Sequence, residues 1–337
     1  MARIGYWAGL MAAASTAGLG AATPLLAQDR DEKPPIIDMH FHAMLEGREN
    51  TAPMCPNPEG FTAHDPTEEM TSPFGWSSED CSPRLYGAPG QAYFEQILAE
   101  MERLNVVAVV FGDPASVRAY KEAAPERVIM GTSFAMGTDT DKAAELARLE
   151  GLFADGGFEI MGEIGLQYAG MSPSDMSVDE YFALAERLDI PVAIHMGTGG
   201  SGRANMTTPT FRASMGDPFE LEELLARHPR LRVQVMHAAY PMIDNMLALL
   251  QANSQVYVDI AGLIWSYPIE EVNHYIERLV DAGFGDRVMF GTDQMSWPGL
   301  MAHSVSIIQN ADYLSPTQKR DILYNNAARF LRLDREN

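Results

Sequence analysis

The run Ile36-Ile37-Asp38-Met39-His40-Phe41-His42 carries two imidazoles two positions apart at the end of a short apolar stretch. Side chains alternate along a strand, so His40 and His42 would face one side, about 6.6 Å apart at ~3.3 Å per residue. Two imidazoles so placed can grip one metal ion. Four more ligand-type residues stand at or near the ends of later apolar runs. Glu163 lies in Phe158-Glu159-Ile160-Met161-Gly162-Glu163-Ile164-Gly165-Leu166, and His195 in Val192-Ala193-Ile194-His195. His237 follows Val233-Gln234-Val235-Met236, and Asp293 follows Val288-Met289-Phe290-Gly291-Thr292. Singly, each has an ordinary structural explanation: a hydrogen-bonded core histidine or half of an ion pair. Five strand ends that all carry such residues fit a shared cation better. Neutral imidazoles with carboxylates suit zinc, with manganese and iron as alternatives. Such an ion lowers the pKa of bound water from about 15.7 to about 7. A carboxylate beside that water can take its proton and return it to a leaving group.

These residues need a scaffold that gathers strand ends. Strand patterns run over 36–42, 106–112, 127–135, 158–166, 191–196, 231–238, 256–262 and 287–292. Most are continuous apolar runs, as expected of a parallel sheet covered on both faces. Helix patterns alternate with them over 91–104, 115–124, 140–154, 178–188, 217–228, 242–252, 269–282 and 300–311, and a capped helix follows from Ser315 to Leu333. This alternation predicts an α/β fold, a (β/α)8 TIM barrel whose strand ends converge on one site. A doubly wound open sheet is the rival. Two long segments break the rhythm: 44–90 after strand 1, rich in Pro, Gly and acidic residues, and 197–216 after strand 5. Loops of that length commonly act as lids or binding loops, and both would sit at the C-terminal face of a barrel.

The net charge of −22, with lysine only at positions 33, 121, 142 and 319, argues against nucleic acid as a partner. A small-molecule substrate is expected instead. Residues 1–27 hold a single charge, Arg3, and are rich in Ala, Gly and Leu, with Ala-ended cleavage sites at Ala22 or Ala27. They read as a signal peptide, leaving 28–337 as the barrel and placing the protein in the periplasm or outside the cell. The competing reading is an uncleaved membrane anchor, for which the stretch is weakly apolar. Export makes a disulfide between Cys55 and Cys81, the two cysteines of the chain, the expected state; free thiols are the alternative.

The ordered set His40-x-His42, Glu163, His195, His237 and Asp293 resembles the amidohydrolase superfamily of metal-dependent barrels. The stretches Gly162-Glu163-Ile164-Gly165-Leu166, His237-Ala238-Ala239-Tyr240-Pro241, Phe290-Gly291-Thr292-Asp293 and Asn326-Ala327-Ala328-Arg329-Phe330-Leu331 resemble its amidohydrolase-2 branch, which includes relatives of aminocarboxymuconate semialdehyde decarboxylase. The resemblance spans roughly residues 36–333. It implies that His40, His42, His195 and Asp293 are metal ligands and that Asp293 also takes the proton of attacking water. His237 would bind a second ion or polarise the substrate carbonyl. Many members bridge two ions with a carboxylated lysine on strand 4; here Glu163 holds that place, which leaves one or two ions open. A homodimer is the family-level expectation.

Other motifs carry less. Gly197-Thr198-Gly199-Gly200-Ser201-Gly202 matches a dinucleotide fingerprint, but no helix opens directly after it to hold a pyrophosphate. Arg203 and Arg212 in that loop are candidates to pair with a substrate carboxylate. Tyr240, Trp265, Tyr168 and Trp297 follow strands and are candidate pocket walls, or core. His303 is a candidate substrate contact, His64 lies in the lid, His228 reads as a helix-end residue and His274 as surface. The leading functional reading is hydrolysis of an ester, lactone or amide by metal-activated water. Non-oxidative decarboxylation of an unsaturated or aromatic acid is the alternative, and a metal-binding module without turnover is the third.

Overall fold

The computed structural model describes residues 33–333, apart from 62, 64, 66, 68–80, 137–139, 201 and 207–209. The expected signal peptide, His64 and Ser201 of the glycine motif lie outside the described residues. The eight strands are β1 (Ile36–His42), β2 (Val106–Phe111), β3 (Val128–Thr132), β4 (Phe158–Ile164), β5 (Val192–His195), β6 (Val233–Met236), β7 (Val256–Asp259) and β8 (Val288–Met289). They pair in chain order, all parallel. Residues just past β8 close the ring on β1: Met39 N donates to Phe290 O at 2.9 Å, and Asp293 N to His40 O at 2.8 Å. The protein is therefore a (β/α)8 TIM barrel, and the open sheet is excluded.

Several strands are shorter than their apolar runs. The run 287–292 contributes Val288–Met289 to the ladder, and 231–238 contributes Val233–Met236. The remaining residues leave the sheet as turns that carry His237 and Asp293. The loop expected over 203–216 contains a one-turn helix, Arg203–Met206, and a 3-10 turn, Ala213–Gly216. The C-terminal helix starts as expected at Ser315, whose side chain forms a reciprocal capping box with Gln318. It then passes through a π-turn at Asp321–Asn325 before Asn326–Leu331.

Apolar residues divide into two layers. Ile37, Met39, Val109, Ile129, Ile160 and Met289 belong to the cluster that fills the barrel. Ile36, Phe41, Val106, Val110 and Val128 belong to the layer shared with the surrounding helices. Two bulges set the phase at the C-terminal ends of β1 and β4. The β1–β2 register slips between Asp38 and Phe41, so Ile37 and Met39 face inward at the bottom while His40 and His42 face inward at the top. The β4–β5 register slips between Met161 and Ile164, next to Glu163. Gly162 is needed there, because a Cβ would lie 2.8 Å from the Ala193 Cβ and 2.9 Å from the Phe111 ring.

Within 44–90, Gly47 pairs with Gly90 and Met54 with Leu85, and Cys55 is disulfide-bonded to Cys81. Among the described residues, no helix is long and apolar enough to cross a membrane.

Candidate metal centre

At the top of the barrel, side chains from separate strands meet. His42 Nε2 lies 2.8 Å from Asp293 Oδ1 and 3.4 Å from Glu163 Oε2. His40 Nε2 lies 3.4 Å from the same Glu163 oxygen and 3.6 Å from Asp293 Oδ1. His195 Nδ1 contacts Glu163 Oε1 and sits 3.0 Å from His237 Nε2. The six residues expected to converge do so, delivered by β1, β4, β5 and the turns after β6 and β8.

The arrangement fits a divalent cation. His40 is fully buried, yet neither ring nitrogen has a hydrogen-bond partner. Burial should strip such a ring of its charge. The carboxylates of Asp293 and Glu163 overcome that and hold its pKa well above the usual imidazole value. A field that draws a proton onto buried His40 draws any cation. Donor spacings of 3.4–3.6 Å also match the edge of a coordination tetrahedron, about 3.4 Å for bonds of about 2.1 Å. Three groups of potential ligands overlap here: His40, His42 and Asp293; Glu163, His195 and His237; and His40, His237 and Asp259. Burial alone would push Glu163 and Asp293 toward the neutral form, but the imidazole of His40, above all, holds both below the usual carboxylate range.

Neighbouring groups fix how these rings present themselves. His237 Nδ1 lies 2.8 Å from the carbonyl oxygen of Ala261, which accepts only, so Nδ1 carries the proton and Nε2 keeps its lone pair. Burial, reinforced by His195 and His40, pushes its pKa down to about 4. A neutral ring of that tautomer turns the Nε2 lone pair toward the cluster, where it could bind a cation. His195 presents Nδ1 to the cluster and Nε2 to the Tyr168 hydroxyl, 2.6 Å away. The backbone is left-handed at His237, Ala238, Ala239 and Asp293, a conformation costly for residues with a Cβ. Gly262 makes room beside them: a Cβ there would lie 2.8 Å from His237 Nδ1 and 3.2 Å from Asp293 Oδ2.

Two buried carboxylates beside the cluster were not singled out in the sequence. Asp259 ends β7, lies 3.7 Å from His40 Nδ1, and accepts from His237 N, Ala261 N and Gln234 Nε2. Its signal was available, since Val256-Tyr257-Val258-Asp259 is another apolar strand with a carboxylate end. Asp38 accepts from His40 N and from the Thr292 N–H and hydroxyl, tying β1 to the segment after β8. Burial raises its pKa to about 6.

A cavity of about 250 Å³ opens from the cluster, walled by Phe61, Tyr240, Trp265 and Tyr267 and by Tyr168 and Arg203. The Tyr240 and Tyr267 rings are 4.1 Å apart, and the Arg203 guanidinium stacks 4.1 Å over Tyr168. Trp265 also donates Nε1–H to Thr292 O at 2.6 Å, an anchoring role. Arg212, which bonds the Phe211 carbonyl, and His303 do not line this cavity. His303 Nε2 instead meets Asn57 Oδ1 at 2.8 Å, and Asn57 Nδ2 donates to the carbonyls of Ile264 and Tyr267. His228 sits between Asp179 and Glu186, rather than capping carbonyls, and His274 is exposed.

The family model described as amidohydrolase matches residues 37–333. No curated protein matches the chain. An uncharacterized TIM-barrel protein from Bordetella bronchiseptica superposes with a TM-score of 0.57 at 19% identity, over 71% of this chain and 82% of its own. A protein described as a probable 2-pyrone-4,6-dicarboxylic acid hydrolase from Acinetobacter baumannii gives 0.55 at 13%, over 88% and 99%. A 5-carboxyvanillate decarboxylase from Novosphingobium aromaticivorans, complexed with manganese, gives 0.51 at 17%, over 70% and 79%.

Proposed function

Because this chain belongs to the amidohydrolase family, we propose that it is an exported metal-dependent hydrolase of a small-molecule ester, lactone or amide. The observation that carries the reading is the double position of Asp293: it belongs to the ligand cluster, lines the cavity, and is held ionised below the usual carboxylate range. A divalent cation, zinc first and manganese next, would polarise the carbonyl and acidify a water when held by His40, His42, Glu163, His195, His237 and Asp293. Asp293 then accepts the proton of the attacking water and passes it to the leaving group. His237, with its proton committed to Ala261 O, serves as a ligand. The aromatic wall of Phe61, Tyr240 and Tyr267 receives an apolar acyl group, and Arg203 at its edge pairs with a substrate carboxylate. The Cys55–Cys81 bridge supports an oxidising compartment, and with it removal of residues 1–27.

Decarboxylation of an unsaturated or aromatic acid is the second reading. It is favoured by Arg203 in an aromatic cavity and by the shared fold of the 5-carboxyvanillate enzyme. Purified protein loaded with zinc or manganese is offered esters and lactones with a pH indicator, and aromatic acids with carbon dioxide detection, each with and without chelator. Chelator-sensitive acid release supports hydrolysis. Carbon dioxide release without ester turnover replaces it with the second reading.

A further inference from the structure

The aromatic cavity does not end at Tyr240 and Tyr267. A groove of about 420 Å³ adjoins it, and Phe61, Gly199, Gly200, Arg203, Tyr240 and Tyr267 are among the residues that line both. Both spaces are partly open to solvent, so a ligand can lie across this shared rim without threading a channel. Gly199 and Gly200 contribute backbone to the rim in place of side chains. A Cβ on Gly199 would lie 3.3 Å from Tyr168 Oη and 3.4 Å from Arg203 Cγ, and its φ of +67° suits glycine.

The groove differs from the cavity in its distance from the chemistry. None of the six candidate ligands lines it. The residues that line it alone are Gly202, Ala204, Phe211, Ala213 and Pro241, and none is charged. Among the described residues of its lining, Arg203 is the one charged side chain, and it stands at the shared rim. The Tyr240 hydroxyl is engaged, donating to Glu271 Oε1 at 3.2 Å. Most of the lining surface is therefore apolar. Phe61 belongs to the loop closed by the Cys55–Cys81 bridge, and its ring meets that of Tyr267 edge-on at 5.4 Å. It is still 47% exposed, which leaves apolar surface for a ligand to cover.

We infer that this groove receives the far end of an elongated substrate. One apolar unit of the acyl group lies in the cavity beside the metal centre, and a second, uncharged apolar unit, an aryl ring or short alkyl chain, lies beyond the rim in the groove. The inference rests on the hydrolase reading and names the length and polarity of its acyl group. A groove that served only as an entrance for small substrates would give no preference for length.

The test compares methyl benzoate, methyl para-phenylbenzoate and methyl para-(hydroxyethoxy)benzoate with the metal-loaded protein. The reacting ester is the same in all three, and the two extensions are similar in length but differ in polarity. The phenylbenzoate should exceed both others in kcat/KM by about tenfold, the scale expected for partly burying one ring. Ala204→Trp and Ala213→Trp, at exposed positions that line the groove and not the cavity, should each collapse that ratio. Equal values for benzoate and phenylbenzoate, an equal gain from the hydroxyethoxy ester, or a ratio that survives both variants overturns the inference. If no ester is hydrolysed, the hydrolase reading fails and binding decides the groove. The para-phenylbenzoate anion should then bind about tenfold more tightly than benzoate to the parent protein, with no such advantage in either variant. Equal affinities in the parent protein, or an advantage kept by both variants, remove the groove as a subsite.

Discussion

The hydroxyl of Tyr168 lies 2.6 Å from His195 Nε2, while His195 Nδ1 faces Glu163 and His237. A phenol both donates and accepts, so this bond survives a change of tautomer. With a proton on Nδ1 the hydroxyl donates to Nε2; with a cation at Nδ1 it accepts from Nε2–H. Burial raises the Tyr168 pKa, which keeps it a neutral phenol at working pH. Tyr168→Phe should lower metal affinity by about tenfold or more, the usual cost of losing such support. A competition titration against a chromogenic chelator measures this, and unchanged affinity would show that the bond does not orient the ligand.

Cation binding should release protons. Despite burial, the carboxylates of Asp293 and Glu163 raise the pKa values of both His40 and His42 above the usual imidazole value, so protons on this pair compete with a metal. His237, at about 4, is already neutral and releases none. Apparent affinity should therefore rise with pH near neutrality, about tenfold per unit for each proton displaced. Calorimetric titration in two buffers of different ionisation enthalpy reads the number directly. A heat independent of buffer contradicts proton competition at the His40–His42 pair.

Asp293→Asn preserves the shape of the side chain and removes its capacity to take a proton. Under saturating cation, kcat should fall about a thousandfold, the range of general-base contributions. Steady-state rates with metal content measured on the same sample decide it. Near-parental turnover in a fully loaded variant would move the base elsewhere.

The Cys55–Cys81 bridge closes a loop of 26 positions. Replacing both residues by Ser should lower stability by about 3 kcal/mol in the chain-entropy description. Denaturant unfolding of the two proteins, without reductant, gives the difference. A loss near zero would mean that the bridged segment is already fixed by its other contacts.

Asn57 supplies several of those contacts. It bonds Ile264 O, Tyr267 O and His303 Nε2, and so fastens the segment after β1 to the aromatic wall. Asn57→Ala should cost about 1–3 kcal/mol, because buried acceptors lose their partner. It should also raise KM more than it changes kcat. A lower kcat at unchanged KM would place Asn57 in the chemistry instead.

Much of this protein is legible in its sequence. Apolar runs alternating with amphipathic stretches call for a parallel sheet covered on both faces, which a barrel and a doubly wound sheet both provide; the bonds from β1 to the residues after β8 decide for the barrel. Ligand-type residues at five strand ends pick out the cluster that could hold a cation, since buried polar groups need a common purpose or a partner. Other features depend on distances between segments far apart in the chain. The bulges that turn His40, His42 and Glu163 inward arise from ladder register, which no single strand contains. The carboxylate of Asp259 looks like any strand end until His40 and His237 stand beside it. His303 meets Asn57, 246 positions earlier, and does not line the cavity. Local pattern sets periodicity and side-chain type; which groups come within bonding distance is decided only when the ring of strands closes.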